Sequence, residues 1–292
     1  MESLVSTEWL ANEIGACDLR IVDASSHLPT AGRDAREEYE EAHIPGAVFM
    51  DLANLIDSNS SVPAALPTAE MFASRMQKLG LGDGSRIVLY DASDVKTAAR
   101  AWFMFSMFGA QNVAILDGGL AKWRAEGRPM ECGVQMLRTR HYTAWQDTSK
   151  VRNKAEMLAN IASHAEQVAD ARDEGRFTGR TPDFRPGVPS GHIPGSVNLP
   201  FYNLFRKNGT FKDEAGLRKA FEAAGIDLSK PVTTTCGGGV TAAVLAFAMH
   251  LLGKDDDVAL YDGSWSEWAA DPDTPKATGP GETVKRSALL SV

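Results

Sequence analysis

Short apolar runs alternate along this chain with longer stretches in which apolar residues return every three or four positions. The first kind fits strands buried on both faces, and the second fits helices that bury one side. Strands are expected over residues 19–24, 47–50, 86–91 and 112–116, with helices over 71–79, 97–108 and 120–126. The second half repeats the order, with strands over 167–171, 197–199, 232–236 and 258–261 and helices over 214–224, 241–252 and 265–270. Such alternation predicts an α/β fold in which a mostly parallel sheet is flanked by helices.

The repetition extends to single residues. Asp23 is answered by Asp170, His43-Ile44-Pro45-Gly46 by His192-Ile193-Pro194-Gly195, Gly109 by Gly253, Asp117-Gly118 by Asp262-Gly263, and Trp123 by Trp268. The order is kept and the offset stays near half the chain length. A period this long means two copies of one domain rather than a solenoid. A first domain is expected over 1–135, a linker over 136–152, a second domain over 153–275 and a tail over 276–292.

Composition narrows the class. The 292 residues suffice for two domains, and 43% hydrophobic with 23% charged residues is the profile of a soluble globular protein. A net charge of −8 argues against nucleic acid or an anionic membrane as partner. No apolar run reaches the roughly 18 residues that span a bilayer. Residues 1–15 show no basic segment followed by an apolar one, so no secretory signal is expected. The three cysteines, Cys17, Cys132 and Cys236, are far apart and odd in number, which fits a reducing compartment. The cytoplasm is the expected location, or the mitochondrion if a targeting segment lies outside this sequence. The six histidines lack zinc-ligand spacing, and neither a metal nor an organic cofactor is implied.

The most informative segment is Thr233-Thr234-Thr235-Cys236-Gly237-Gly238-Gly239-Val240-Thr241. A β-branched strand ends at a cysteine, three glycines follow, and an apolar helix begins that Gly253 closes. In open α/β sheets ligands bind at the carboxyl ends of strands. Consecutive glycines let backbone N–H groups converge on one point, and the helix adds the positive end of its dipole. Such a nest favours a thiolate over a thiol and stabilises negative charge on any sulfur it carries. The plainer reading, a buried cysteine beside a turn, is retained for Cys17 and Cys132, which have no glycine loop after them. In the first copy the position of the cysteine falls at Asp91 or Ala92, without glycines, so only one copy is expected to be active.

These residues resemble the tandem-rhodanese sulfurtransferases, specifically the 3-mercaptopyruvate branch. The resemblance rests on GRDAREEYEEAHIPGA, LDGGLAKW, GRFTG, PSGHIPGSVNLP, CGGGVTA and YDGSWSEW, and spans most of the chain. It implies two rhodanese-like domains and a ping-pong reaction. Cys236 takes sulfur from 3-mercaptopyruvate, pyruvate leaves, and a thiol acceptor such as thioredoxin or a low-molecular-weight thiol, or cyanide, collects the sulfur. It implies a carboxylate clamp at Arg176 and Arg185, with the loop residues Gly237, Gly238, Gly239, Val240 and Thr241 around the substrate. It also places Asp34 and His43 near the cysteine, where they would move a proton. His192 repeats His43 in the other copy, which favours a turn-pinning role for both. The branch often has a hydroxyl residue at the second position after the cysteine, where this chain has Gly238.

Three rivals are weighed. Thiosulfate sulfurtransferases resemble CRKGVT at the loop, whereas this loop holds no cation to meet a dianion. Phosphatases of related fold need Cys-x5-Arg, and the sixth residue after Cys236 is Ala242. A non-catalytic sulfur carrier or scaffold is the third, against which the intact cysteine, glycine loop and arginine pair all argue.

Overall fold

The computed structural model describes residues 1–281. Each half folds into a parallel five-stranded sheet. The first contains β1 (Leu4–Val5), β2 (Leu19–Asp23), β3 (Ala47–Phe49), β4 (Arg86–Tyr90) and β5 (Val113–Leu116), in the order β1-β5-β4-β2-β3. The second contains β6 (Val151–Arg152), β7 (Gln167–Asp170), β8 (Ser196–Asn198), β9 (Val232–Thr235) and β10 (Val258–Tyr261), in the order β6-β10-β9-β7-β8. The registers also match: β2 pairs with β4 from Leu19–Arg86 to Asp23–Tyr90, and β7 with β9 from Gln167–Val232 to Asp170–Thr235. The central strands β4 and β9 carry apolar or β-branched residues on both faces because helices cover both.

Periodicity located six helices, α3 (Ala69–Lys78), α4 (Ala98–Met107), α5 (Gly119–Ala125), α8 (Glu214–Ala224), α9 (Val240–Leu251) and α10 (Ser264–Ala270). The structure adds α1 (Thr7–Glu13), α2 (Ala35–Glu41), α6 (Lys154–Ser163) and α7 (Glu174–Thr178), which were not expected. All four start at a polar cap: Ser6, Asp34, Asn153 and Asp173. The expected linker is not slack. Tyr142 is buried with Phe72 and Phe105 of the first copy, and Val151–Arg152 forms the edge strand of the second sheet. At the other end, Ala277 exchanges two backbone hydrogen bonds with His192. The remainder of the expected tail, 282–292, lies outside the described residues.

The two copies share one apolar seam. α9 is apolar around its whole circumference because its own sheet covers one side and α4 the other. Trp102 meets Phe247 edge-on with centroids 4.8 Å apart. His250, at the same seam, is hydrogen-bonded to Ser3 Oγ (2.7 Å) and Asp255 (2.5 Å). Repeat-related polar contacts close the seam: Phe211 N donates to Asp117 and Leu66 N donates to Asp262, each at 2.8 Å. No helix among the described residues is long and apolar enough to cross a membrane. None of their His, Cys, Asp and Glu side chains form a group that could hold a metal.

Candidate active site

Cys236 stands at the carboxyl end of the central strand β9 and is 2% exposed. Its loop is held from behind by α10. Trp265 N donates to Cys236 O and Ser266 N donates to Gly237 O, both at 2.9 Å, and Ser266 Oγ donates to Gly237 O as well. A peptide unit is planar and trans, so its C=O and N–H point to opposite sides. Pinning these two carbonyls therefore turns the N–H groups of Gly237 and Gly238 to the other side. Cys236 N and Gly239 N donate to Ser264 Oγ at 3.3 and 3.1 Å. Among the described residues nothing accepts a hydrogen bond from the amides of Gly237, Gly238, Val240 or Thr241. All four residues line one pocket with Cys236. The start of α9 adds its dipole to this set of donors.

The three glycines serve different ends. Gly239 has φ +77°, a left-handed conformation that admits glycine without strain. A Cβ on Gly237 would sit 2.6 Å from Arg185 Nη2, so the guanidinium lies against bare backbone. At Gly238 a Cβ would meet only Arg185 Nη2 at 3.8 Å and Ser266 Oγ at 3.9 Å, so a side chain has room there. The nearest hydroxyl to that space belongs to Ser266.

The pocket has a volume of about 400 Å³. The first copy supplies one wall, with Leu28, Pro63, Ala64 and Val95. The second copy supplies three arginines. Arg176 lies on α7, whose N-cap Asp173 also accepts from Arg176 Nε at 2.5 Å. Arg185 Nη1 donates to Asp183 at 3.2 Å, and the other oxygen of that buried carboxylate lies 4.0 Å from Arg176 Nη1. The Phe184 ring lies 4.4 Å from the Arg185 guanidinium carbon and 5.2 Å from that of Arg176. Charge and ring thus fix the two forks side by side.

The third arginine was not expected. Arg172 is 1% exposed, donates to both oxygens of Asp170 and to Gly191 O (2.7 Å), and stacks on Trp265. Burial opposes its charge, but the Asp170 carboxylate more than offsets this and the Cys236 sulfur adds to it, so Arg172 holds its proton above the ordinary arginine range. Its Nη1 is buried without a hydrogen-bond partner among the described residues.

The first copy has the same loop with different contents. Leu120 N donates to Asp91 O at 3.0 Å as Trp265 N does to Cys236 O, which makes Asp91, rather than Ala92, the counterpart of the cysteine. The Asp91 carboxylate accepts from Ser93 N (2.9 Å) and Ala98 N (2.8 Å). This loop supplies its own anion, and burial pushes the Asp91 carboxyl up despite Lys96 and those amides. Ser25 stands where the second copy has Arg172, each donating its N–H to the preceding strand's aspartate.

The rhodanese-like domain family model matches residues 6–126 and again residues 153–271. The chain belongs to the rhodanese family. It is 41% identical over 289 residues to human 3-mercaptopyruvate sulfurtransferase, covering 96% of this chain and 97% of that protein. It is 40% identical over 288 residues to bovine thiosulfate sulfurtransferase, covering 96% of each. It also resembles the crystal structure of SseA, a 3-mercaptopyruvate sulfotransferase of Escherichia coli, with a TM-score of 0.82 and 36% identity over 91% of this chain and all of that one. Near-equal identities to mercaptopyruvate and thiosulfate enzymes leave the choice of donor to the site.

Within this rhodanese fold, Cys236, Arg176, Arg185, Gly237, Gly238, Val240 and Thr241 come together around one pocket. His43 and Asp34 do not. His43 is fully buried in the first copy, with Nδ1 2.7 Å from Tyr39 O and its ring stacked on Tyr39. His192 does the same with Phe177 O (2.8 Å) and the Phe177 ring. Both histidines pin the turn before a strand. Asp34 is exposed and caps α2 by accepting from Arg36 N and Glu37 N. Neither residue lines the pocket of Cys236. Sequence reading missed Arg172, Asp183, Phe184, Ser264 and Ser266. Comparing the copies offers a signal for the first and fourth of these, because Arg172 replaces Ser25 and Ser264 replaces Gly119.

Proposed function

We propose that this rhodanese is a 3-mercaptopyruvate sulfurtransferase that works through a Cys236 persulfide. The Cys236 thiolate attacks the thiol sulfur of the donor, the carbon–sulfur bond breaks, and its electron pair leaves as the enolate of pyruvate. The proton lost from the outer sulfur balances the one gained by the enolate carbon. The amides of Gly237, Gly238, Val240 and Thr241 then face the persulfide anion. In the second half-reaction an acceptor thiolate attacks the outer sulfur and restores Cys236. The acceptor class is a low-molecular-weight thiol or a dithiol protein such as thioredoxin.

The observation that carries the choice of donor is where the cations stand. The loop holds none, while Arg176 and Arg185 converge from outside it on the pocket, spaced by Phe184. That arrangement suits a carboxylate held at a distance from the reacting sulfur. The loop itself offers a dianion no side-chain cation, so thiosulfate is expected to be the poorer donor.

With one thiol acceptor, kcat/KM is expected to be higher for 3-mercaptopyruvate than for thiosulfate. Arg176→Ala is expected to raise KM for 3-mercaptopyruvate about 10- to 100-fold, the worth of a charge-assisted contact, and to change KM for thiosulfate less. Equal effects on both donors would show that the arginine does not hold the carboxylate.

A further inference from the structure

The carbonyls that shape the cysteine loop are pinned from behind, and one of the pins comes from the other copy of the domain. Gly239 O faces Arg100 of α4, with Nη1 3.5 Å away. Arg100 is 4% exposed, and its Nη2 donates to Asp262 at 2.8 Å. The second oxygen of Asp262 accepts from Leu66 N, just beyond the pocket residues Pro63 and Ala64. The packing is close, for a Cβ on Gly239 would lie 2.7 Å from Arg100 Nη1. A planar fork holds a carboxylate and a carbonyl in fixed relative directions, which a freely rotating ammonium does not. The contact has no reciprocal. The equivalent turn of α9, residues 243–245, is Ala-Val-Leu, and the loop it would face already holds the Asp91 carboxylate.

We propose that Arg100 is a positioning residue through which the cysteine-free copy sets the geometry of the sulfur-carrying loop. With Gly239 O turned to Arg100, the planar trans peptide turns Val240 N–H to the opposite side, where Val240 lines the pocket. Gly239, at φ +77° and ψ −7°, rotates easily. Without the pin this peptide is free to flip and to present a carbonyl oxygen, rather than an N–H, to an anionic sulfur. The inference rests on Cys236 as the sulfur carrier.

Arg100→Met alone leaves Asp262 without its cation, so the test pairs it with Asp262→Asn. In the folded double variant, Cys236 is expected to need a higher pH than wild type to react with iodoacetamide. Its kcat is expected to fall about 10²-fold with either donor, as when one oriented donor is lost, with little change in KM. Arg100→Lys, which keeps the charge without the fork, is expected to fall between. Arg172, Arg176, Arg185, Asp170 and Asp183, the charged groups near Cys236, are untouched, so the shift reports the peptide. A purely structural seam contact would lower Tm and leave the alkylation profile in place. Either variant, folded and with the wild-type profile and kcat, overturns the proposal. Failure of the Cys236 reading looks different: wild-type protein alkylated at Cys236 would keep its turnover.

Discussion

Cys236→Ser is expected to reduce turnover by about 10⁴-fold or more, the scale on which enzymes lose activity with their nucleophile. A serine oxygen cannot hold a transferable sulfur, and the amides around it only stabilise charge that something else must carry. The fold should survive, because serine replaces a buried side chain with a slightly smaller one and the contacts that hold the loop carbonyls do not involve the thiol. Far-ultraviolet circular dichroism and Tm are therefore expected to stay near wild type. Cys17 and Cys132 are exposed and serve as controls, since replacing either with serine should leave kcat unchanged. Retained turnover in folded Cys236→Ser protein would remove the covalent mechanism altogether.

Arg172→Met should act on stability and chemistry together. The guanidinium and the Asp170 carboxylate are both about 1% exposed and bind each other in a fork. Removing one partner leaves a buried charge unmet, which costs about 3–5 kcal/mol in urea denaturation. Adding Asp170→Asn removes that charge while keeping an acceptor for Arg172 N, so much of the stability is expected to return. Activity is not. The double variant still lacks a cation beside Cys236, and its kcat is expected to stay about 10²- to 10³-fold down. A stable double variant with wild-type kcat would make Arg172 a purely structural residue.

The features legible in the sequence are those written in contiguous residues. Both copies, the order of their strands and the Cys-Gly-Gly-Gly turn needed only local pattern. The two-residue strands β1 and β6 are too short to show a period and exist only because β5 and β10 offer them an edge. Three of the four unexpected helices, α1, α2 and α7, have seven residues or fewer, and the caps of all four announced them better than their apolar residues did. The pocket wall at Leu28, Pro63, Ala64 and Val95 depends on how one copy sits on the other, which no local pattern encodes. The HIPG histidines each sit against a backbone carbonyl, of Tyr39 and of Phe177. The motif is present in both copies, one of them without the cysteine, so its presence alone does not mark the active copy.

The most direct test of the persulfide account is the mass of the protein after incubation with 3-mercaptopyruvate and no acceptor. The account predicts the gain of one sulfur atom, located on the peptide containing Cys236 and lost when a thiol is added. Unchanged mass, or added sulfur on Cys17 or Cys132 with Cys236 unmodified, would contradict it.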